Sequence, residues 1–475
     1  MTPRTIVWFR GKDLRLADHG PLQAALAGEV IPLFVLDPYF FAPARARAFP
    51  HRMQFLLESL RGLEAALAKL GSRLLIVEGK SVEVVPRLVR EWKADRVVAQ
   101  RWVEPFARKR DLRIAQALGA KFELFEGETL APPGTLRSGA DRPYAVFSQF
   151  ARVFRATVKI GKPLSRPRRL PAVPGDIRAR EDGIPTCEQL GIARNAAVLS
   201  GGEDAAMARM EHFLRDGAAA YAEQRDRMDL AKTSRLSADL KFGTISARQV
   251  WKAIESAQGN TACARAFLNE LLWREFTHST LWDRPELLEK PFRLAFTGFP
   301  WLYDEGQWQA WVTGKTGYPI VDAASRQLLG EGFVHNRARM IAASFLCKHL
   351  LMDYRRGEAH YMKYLTDGDW AQNNAGWQWS AGCGCDAQPY FRVFNPTTQG
   401  EKFDPEGDYV RRWVPELARM PARYIHDPAE APQAVLQAAG VVLDQNYPRP
   451  IVAHRFARER FLAVAAQHLK RAARA

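Results

Sequence analysis

Five short apolar runs, each followed by a helical pattern or a turn, set the fold class of the first quarter of this chain. The runs are Thr5–Phe9, Val30–Leu36, Arg73–Val77, Arg96–Ala99 and Lys121–Phe125. Between them lie stretches with apolar residues at helical spacing. Arg52–Leu70 places Phe55, Leu56, Leu60, Leu63 and Leu67 on one face, and Val82–Trp92 is a second example. Strands alternating with amphipathic helices predict a parallel, Rossmann-like α/β sheet. The first strand-to-helix turn reads RGKDLRL and lacks G-x-G-x-x-G, so a nicotinamide-type dinucleotide site is not supported.

The pattern then changes. Residues 130–200 are rich in Pro, Gly and Arg and read as a long connector. From Gly202 onward the periodicity is helical. It predicts helices over Asp204–Arg215, Ala247–Gln258, Thr261–Trp282, Asp322–Gly330, Asn336–Tyr354, Gly357–Asp367 and Arg455–Ala473. The expected organisation is an α/β domain over 1–130, a connector over 131–201 and an all-α domain over 202–475. At 475 residues the chain is long enough for two cores. No run of 18 apolar residues exists, and charges enter too early for a secretory signal, so a cytoplasmic protein is expected. The five cysteines (Cys187, Cys263, Cys347, Cys383, Cys385) are scattered, which implies reduced thiols and no metal site. A net charge of +16 points to a polyanionic partner, with a generic basic surface as the alternative reading.

Three segments carry chemistry. In TSRLS, residues Thr233–Ser237, hydroxyls, backbone N–H groups and a guanidinium crowd into one stretch. Such a cluster can hold a phosphate, and a capped helix start accounts for it equally well. In FLNELLWREF, Glu270, Trp273 and Arg274 share one helix face, which suits a polar pocket with an aromatic wall or a surface Glu270–Arg274 pair. The third segment holds Asn336, Arg339 and Met340 on a helix and then NNAGWQW, whose Asn and Gly content predicts an aromatic-bearing loop.

These segments, in this order and spacing, resemble the photolyase/cryptochrome family, closest in pattern to class I-like cyclobutane-dimer photolyases. VWFRGKDLRLADH resembles its N-terminal strand and turn, so the likeness covers nearly the whole chain. The resemblance implies an antenna domain, a helical FAD-binding domain, and light-driven repair of pyrimidine dimers in DNA by a monomer. It implies that Tyr221, Thr233, Ser234, Arg235, Leu236 and Ser237 contact the FAD phosphates. Arg339 and Asp367 are implied to pair over the flavin ring, with Asp369 near the flavin or ribose and Asn373 at flavin N5. Glu270, Asn336 and Met340 are implied to touch the dimer, Trp273 and Trp379 to wall it, and Arg225, Arg274, Arg337 and Arg392 to bind DNA phosphates or the lesion edge. Six-four photolyases carry His where this chain has Asn336 and Met340, and plant cryptochromes carry Asp where it has Asn373. Both remain the alternative readings.

Two features depart from, or leave open, the family pattern. The electron relay that reduces the flavin uses three tryptophans. Trp377 and Trp301 fit, but the middle position is Tyr354, and Trp308 and Trp311 lie near in sequence as substitutes. The antenna pattern, with Asp37, Glu104 and Lys241, is similar to relatives that use 8-hydroxy-5-deazaflavin. FMN or a second FAD, folate, or no antenna are the alternatives.

Overall fold

The computed structural model describes residues 2–178, 183–387 and 389–473. Residues 179–182 of the expected connector lie outside the described part. By packing, the chain forms two compact units. The first comprises 1–222, 234–285 and 366–371, and the second 223–233, 286–365 and 372–475.

The first unit contains a five-stranded parallel sheet: β1 (Arg4–Phe9), β2 (Glu29–Leu36), β3 (Leu75–Glu78), β4 (Arg96–Gln100) and β5 (Phe122–Phe125). Its order is β3-β2-β1-β4-β5, and Ile6 pairs with Ile31 and with Val97. Alternation along β1 sorts its side chains to two faces. Val7 and Phe9 enter a core with the helix Pro50–Lys69, while Ile6 and Trp8 enter another with Ser81–Glu91. Because both faces are covered, the strands read as nearly continuous apolar runs. Residues from the expected helical domain share this unit. Phe242 stacks on Phe55 at 4.9 Å, and Ala238 and Phe242 belong to the core under the sheet. The strand order reverses between β1 and β4, which opens a crevice beyond their carboxyl ends.

The second unit is helical among its described residues. Its core gathers Trp311, Val321, Leu328, Phe345, Tyr361 and Phe461. The helix expected over Asn336–Tyr354 stops at Ser344. A π-helical turn, Phe345–His349, follows, and Leu351 takes a left-handed φ of 55°. Leu302 N–H donates to Leu351 O at 2.7 Å, and Asp353 caps a new helix, Tyr354–Tyr364. A long-range backbone bond and a cap thus override a continuous helical period. The NNAGWQW stretch is also corrected: it lies within a helix, Trp370–Ala381. Its asparagines do not compete with their own backbone, because tertiary partners take them. Asn374 donates to Leu287 O and Glu358 Oε1, and Asn373 to Glu358 O. Gly357 on Tyr354–Tyr364 makes room for this helix: a Cβ there would lie 2.2 Å from Trp377 Cη2.

Candidate functional site

The helix Ala262–Asp283 starts at Thr261, whose hydroxyl accepts from Ala264 N–H at 3.1 Å. It carries Glu270 and Trp273, both half-buried. Trp273 lies flat against Phe147, with centroids 3.8 Å apart and an interplanar angle of 8°. Arg274 turns inward instead: it is buried, and its Nη1 donates to Glu128 O at 2.8 Å. The guanidinium expected at a DNA phosphate or the lesion edge is thus engaged by a protein carbonyl in this structure. For the same reason a surface Glu270–Arg274 pair is not formed.

The same unit holds most of the expected phosphate residues. Tyr221 is buried against Phe267 and Phe213. Arg235 takes a left-handed φ of 55°, strained for a side chain of this kind, just before the short helix Ser237–Phe242. No side chain caps that helix. Ser234 Oγ accepts from Leu236 N–H at 3.4 Å and closes a turn, so the cap explanation of TSRLS gives way. Leu236 is itself buried, and so is Asp367 in the 366–371 segment of the same unit. Beside Asp367, the buried hydroxyl of Thr366 has no partner among the described residues. A strained turn, hydroxyls, a guanidinium and an orphaned buried hydroxyl fit the hydroxyl- and phosphate-rich chain of FAD.

Asp369 joins a buried charge cluster that local sequence did not announce. Lys12 Nζ contacts Glu104, Glu128 Oε1 (2.5 Å) and Asp369 Oδ2 (2.9 Å). His278 Nε2 lies 3.5 Å from Glu128 and 3.6 Å from Asp369. Burial opposes the charge on Lys12, but Asp369, Glu104 and Glu128 outweigh it and hold the ammonium above its ordinary range. Burial likewise opposes charge on Glu128, yet Lys12 and His278 bring it down to about 2. His278 rises to about 9 despite burial and Arg274, through Asp369 and Glu128. Glu128, His278 and Asp369 have metal-like spacing, but the Lys12 ammonium already meets both carboxylates. Lys12 stands in the RGKDLRL turn; Glu128 and His278 had no sequence signal, because their partners are distant along the chain.

The crevice at the sheet's carboxyl ends is a cavity of about 90 Å³. Its walls include Trp8, Phe40, Trp102 and Phe106, and all three expected antenna residues, Asp37, Glu104 and Lys241, line it. Asp37 accepts from Ser81 N–H and Oγ–H at 2.8 and 2.6 Å. Arg52, Arg110 and Lys241 also face it. Burial, then neighbouring cations, lowers Arg52 to about 9, Arg110 to about 10 and Lys241 well below its ordinary value. Such a crowd of buried cations favours an anion.

In the second unit, Asn336 and Met340 meet through Nδ2 and Sδ at 4.0 Å. Arg337 pairs with Asp226 at 2.8 Å, and Arg339 Nε donates to Val334 O at 2.7 Å. Thr233 and Arg225 are half-buried, Trp379 is half-buried, and Arg392 is exposed. Asn373 uses its Nδ2 on Glu358 O at 3.1 Å, which leaves its Oδ1 as the acceptor. Trp377 touches Trp311 (centroids 6.0 Å), which stacks on Trp308 (5.4 Å, 26°). Tyr354 is buried, and its hydroxyl has no partner among the described residues. Burial and then Cys383 push its proton affinity far above the ordinary phenol range. Trp301 packs on Phe299 at 4.3 Å.

Residues 5–172 match the family model described as DNA photolyase, and residues 267–467 the one described as the FAD binding domain of DNA photolyase. The chain is 40% identical over 474 residues to a deoxyribodipyrimidine photo-lyase of Agrobacterium fabrum, covering 97% of each. It is similar to the crystal structure of a bacterial class III photolyase from Agrobacterium tumefaciens, with TM-score 0.92 and 39% identity over 99% of this chain and 98% of that one. It is also similar to an archaeal photolyase from Sulfolobus tokodaii with two FAD molecules, with TM-score 0.81 and 29% identity over 98% and 99% of the two chains.

Proposed function

The chain belongs to the DNA photolyase family, and from that premise we propose how its own residues perform the light-driven, FAD-dependent repair of pyrimidine dimers in DNA. When bound, reduced FAD would supply the light-excited electron by which the cyclobutane ring opens. Tyr221 and Thr233–Ser237 hold the cofactor's phosphates, Arg339 and Asp367 flank its ring, and Asp369 steadies the 366–371 segment through Lys12. Asn373, whose Nδ2 donates to Glu358 O, could offer its Oδ1 to flavin N5–H and would favour the hydrogen-bearing, reduced ring without adding charge. Glu270 in its protonated form donates a hydrogen bond to a base carbonyl of the dimer and Trp273 walls it; Asn336, Met340 and Trp379 are assigned to the dimer as well. Flipping of the target out of the duplex is the behaviour the handling of a buried base demands of photolyases generally. Arg225, Arg337 and Arg392 meet DNA phosphate, which makes affinity fall with salt.

The observation that carries the lesion assignment is the helix Ala262–Asp283. It keeps Glu270 and Trp273 half-exposed one turn apart while it buries Arg274. The test is irradiation of FAD-loaded, reduced protein with an oligonucleotide holding one thymine dimer. Repair should need light, favour cyclobutane over six-four lesions, and fall when Glu270 or Trp273 is removed. Light-independent repair, or none, overturns the assignment.

For flavin reduction we assign the path Trp377–Trp311–Trp308 rather than Trp377–Tyr354–Trp301. Tyrosine passes a hole by losing its proton, and the Tyr354 hydroxyl has no acceptor for one among the described residues. The tryptophans need none, and their rings are in contact. In the cavity beside Asp37, Glu104 and Lys241 we place a flat anionic antenna, with 8-hydroxy-5-deazaflavin the best fit and a second flavin next. The protein is assigned as a monomer of the cytoplasm; among the described residues no helix is long and apolar enough to cross a membrane.

A further inference from the structure

We propose that Phe147 is a positioning residue for lesion recognition. It holds the indole of Trp273 flat, so that the indole's other face is ready for a pyrimidine ring. The inference rests on the assignment of Trp273 as a lesion wall and adds a residue to that site.

Phe147 is the first residue of the helix Phe147–Thr157, and it follows the extended, exposed Val146. The helix is anchored elsewhere, by Phe150 and Phe154, which are buried one and two turns on. Phe147 itself is only half-buried, and so is Trp273. The two rings nonetheless lie face to face, 3.8 Å apart and 8° from parallel. Aromatic pairs left to themselves prefer offset or edge-on arrangements. The sandwich is imposed by its surroundings: Phe276 stands edge-on to both rings, 6.0 Å from Phe147 and 5.8 Å from Trp273, and Phe150 backs Phe276 at 5.3 Å. Phe147 therefore takes one indole face and Phe276 an edge. No other ring among the described residues lies against the indole.

A half-exposed indole on a helix would otherwise sample several rotamers, and binding a planar base would have to select one. Stacking on Phe147 makes that selection before the ligand arrives, which lowers the ordering cost of binding. Phe147 never touches the lesion in this arrangement and acts only through Trp273.

The experiment compares Phe147→Ala, Phe147→Leu, Phe147→Tyr, Trp273→Ala and the Phe147→Ala/Trp273→Ala double variant, each loaded with FAD. Binding is measured to a labelled oligonucleotide with one thymine dimer and to the same oligonucleotide undamaged. Phe147→Ala should weaken dimer binding by about three- to tenfold, leave undamaged-DNA binding within about twofold, and leave the splitting yield of saturated enzyme nearly intact. Phe147→Leu, which refills the volume without a flat face, should behave like Phe147→Ala, and Phe147→Tyr should restore binding. In the double variant the loss should equal that of Trp273→Ala alone, because the buttress then has nothing to hold. If Trp273→Ala weakens dimer binding but Phe147→Ala and Phe147→Leu do not, the buttress is wrong and the wall stands. If Trp273→Ala binds the dimer normally, the wall assignment fails, and the proposal with it. A parallel loss of FAD and of both kinds of DNA binding in Phe147→Leu would make Phe147 a general folding residue and overturn the proposal.

Discussion

Replacing Lys12 by Met removes one ammonium from among Glu104, Glu128 and Asp369 while keeping the side-chain volume. In the intact protein, Lys12 meets Glu128 at 2.5 Å and Asp369 at 2.9 Å, with all these side chains 5% exposed or less. Breaking a buried ion pair by deleting one partner costs about 3–5 kcal/mol, because a charge is left buried and uncompensated. His278 would remain beside Glu128 and Asp369, but no ammonium would stand in hydrogen-bond contact with all three carboxyl groups. At neutral pH the variant should therefore lose on the order of 4 kcal/mol, a melting-temperature drop of about 4 °C for a chain of this length. Its pH dependence gives the sharper test. Without Lys12, the folded carboxyl groups hold protons more tightly than they do in the unfolded chain, so the variant's stability should rise as pH falls from 8 towards 5. The intact protein gains there only through the contributions His278 and Glu104 already make, so the variant's rise should be the steeper of the two. Glu128, held down to about 2, adds stability that is complete above its ordinary 4.5 and lost only as pH falls through about 2. His278 works in the opposite sense. Raised from 6.5 to about 9, it stabilises fully below 6.5 and loses that contribution as pH climbs through 9. Thermal unfolding followed by far-ultraviolet circular dichroism between pH 5 and 9, with flavin fluorescence for FAD release, reads both curves. A variant less than 1 kcal/mol weaker, with a pH profile parallel to the intact protein, would refute the reasoning.

Three further outcomes are expected. Trp311→Phe and Trp308→Phe should slow photoreduction of oxidised flavin at least tenfold, with Tyr354→Phe near the intact rate and repair by prereduced enzyme unchanged in all three; transient absorption should find a tryptophanyl radical, and a tyrosyl one would restore Tyr354 to the path. Glu270→Ala should lower the splitting yield per absorbed photon more than it lowers dimer affinity, and an equal loss of both would make Glu270 a binding residue only. Gly357→Ala should destabilise the protein by about 1–3 kcal/mol and slow photoreduction, because its Cβ would meet Trp377 at 2.2 Å; unchanged melting would mean that the helices separate freely at this point.

The sheet was legible in the sequence because a doubly covered parallel strand is an apolar run, and all five runs became strands in the expected region. The helix Ala247–Gln258 was legible to its ends, since Ser246 and Gln249 close a capping box within the local sequence. The family was legible as well, because Glu270, Trp273, Asn336, Met340 and Asn373 stand in recognisable local strings. Local strings misled where a distant partner decided. NNAGWQW became helix because Leu287 and Glu358 take its asparagine side chains, and Asn336–Tyr354 broke where Leu302 captured Leu351. Arg274 shares a helix face with Trp273 in sequence, yet Glu128 O, 146 residues away, draws its guanidinium inward. Lys12 finds Asp369 across 357 residues, and Phe147, inside the expected connector, finds Trp273. Periodicity and caps are properties of a few consecutive residues, so sequence alone determined the elements and the family. Which half-buried ring backs another, and which carboxylates share one ammonium, depends on contacts between remote segments, and only the tertiary structure decided those.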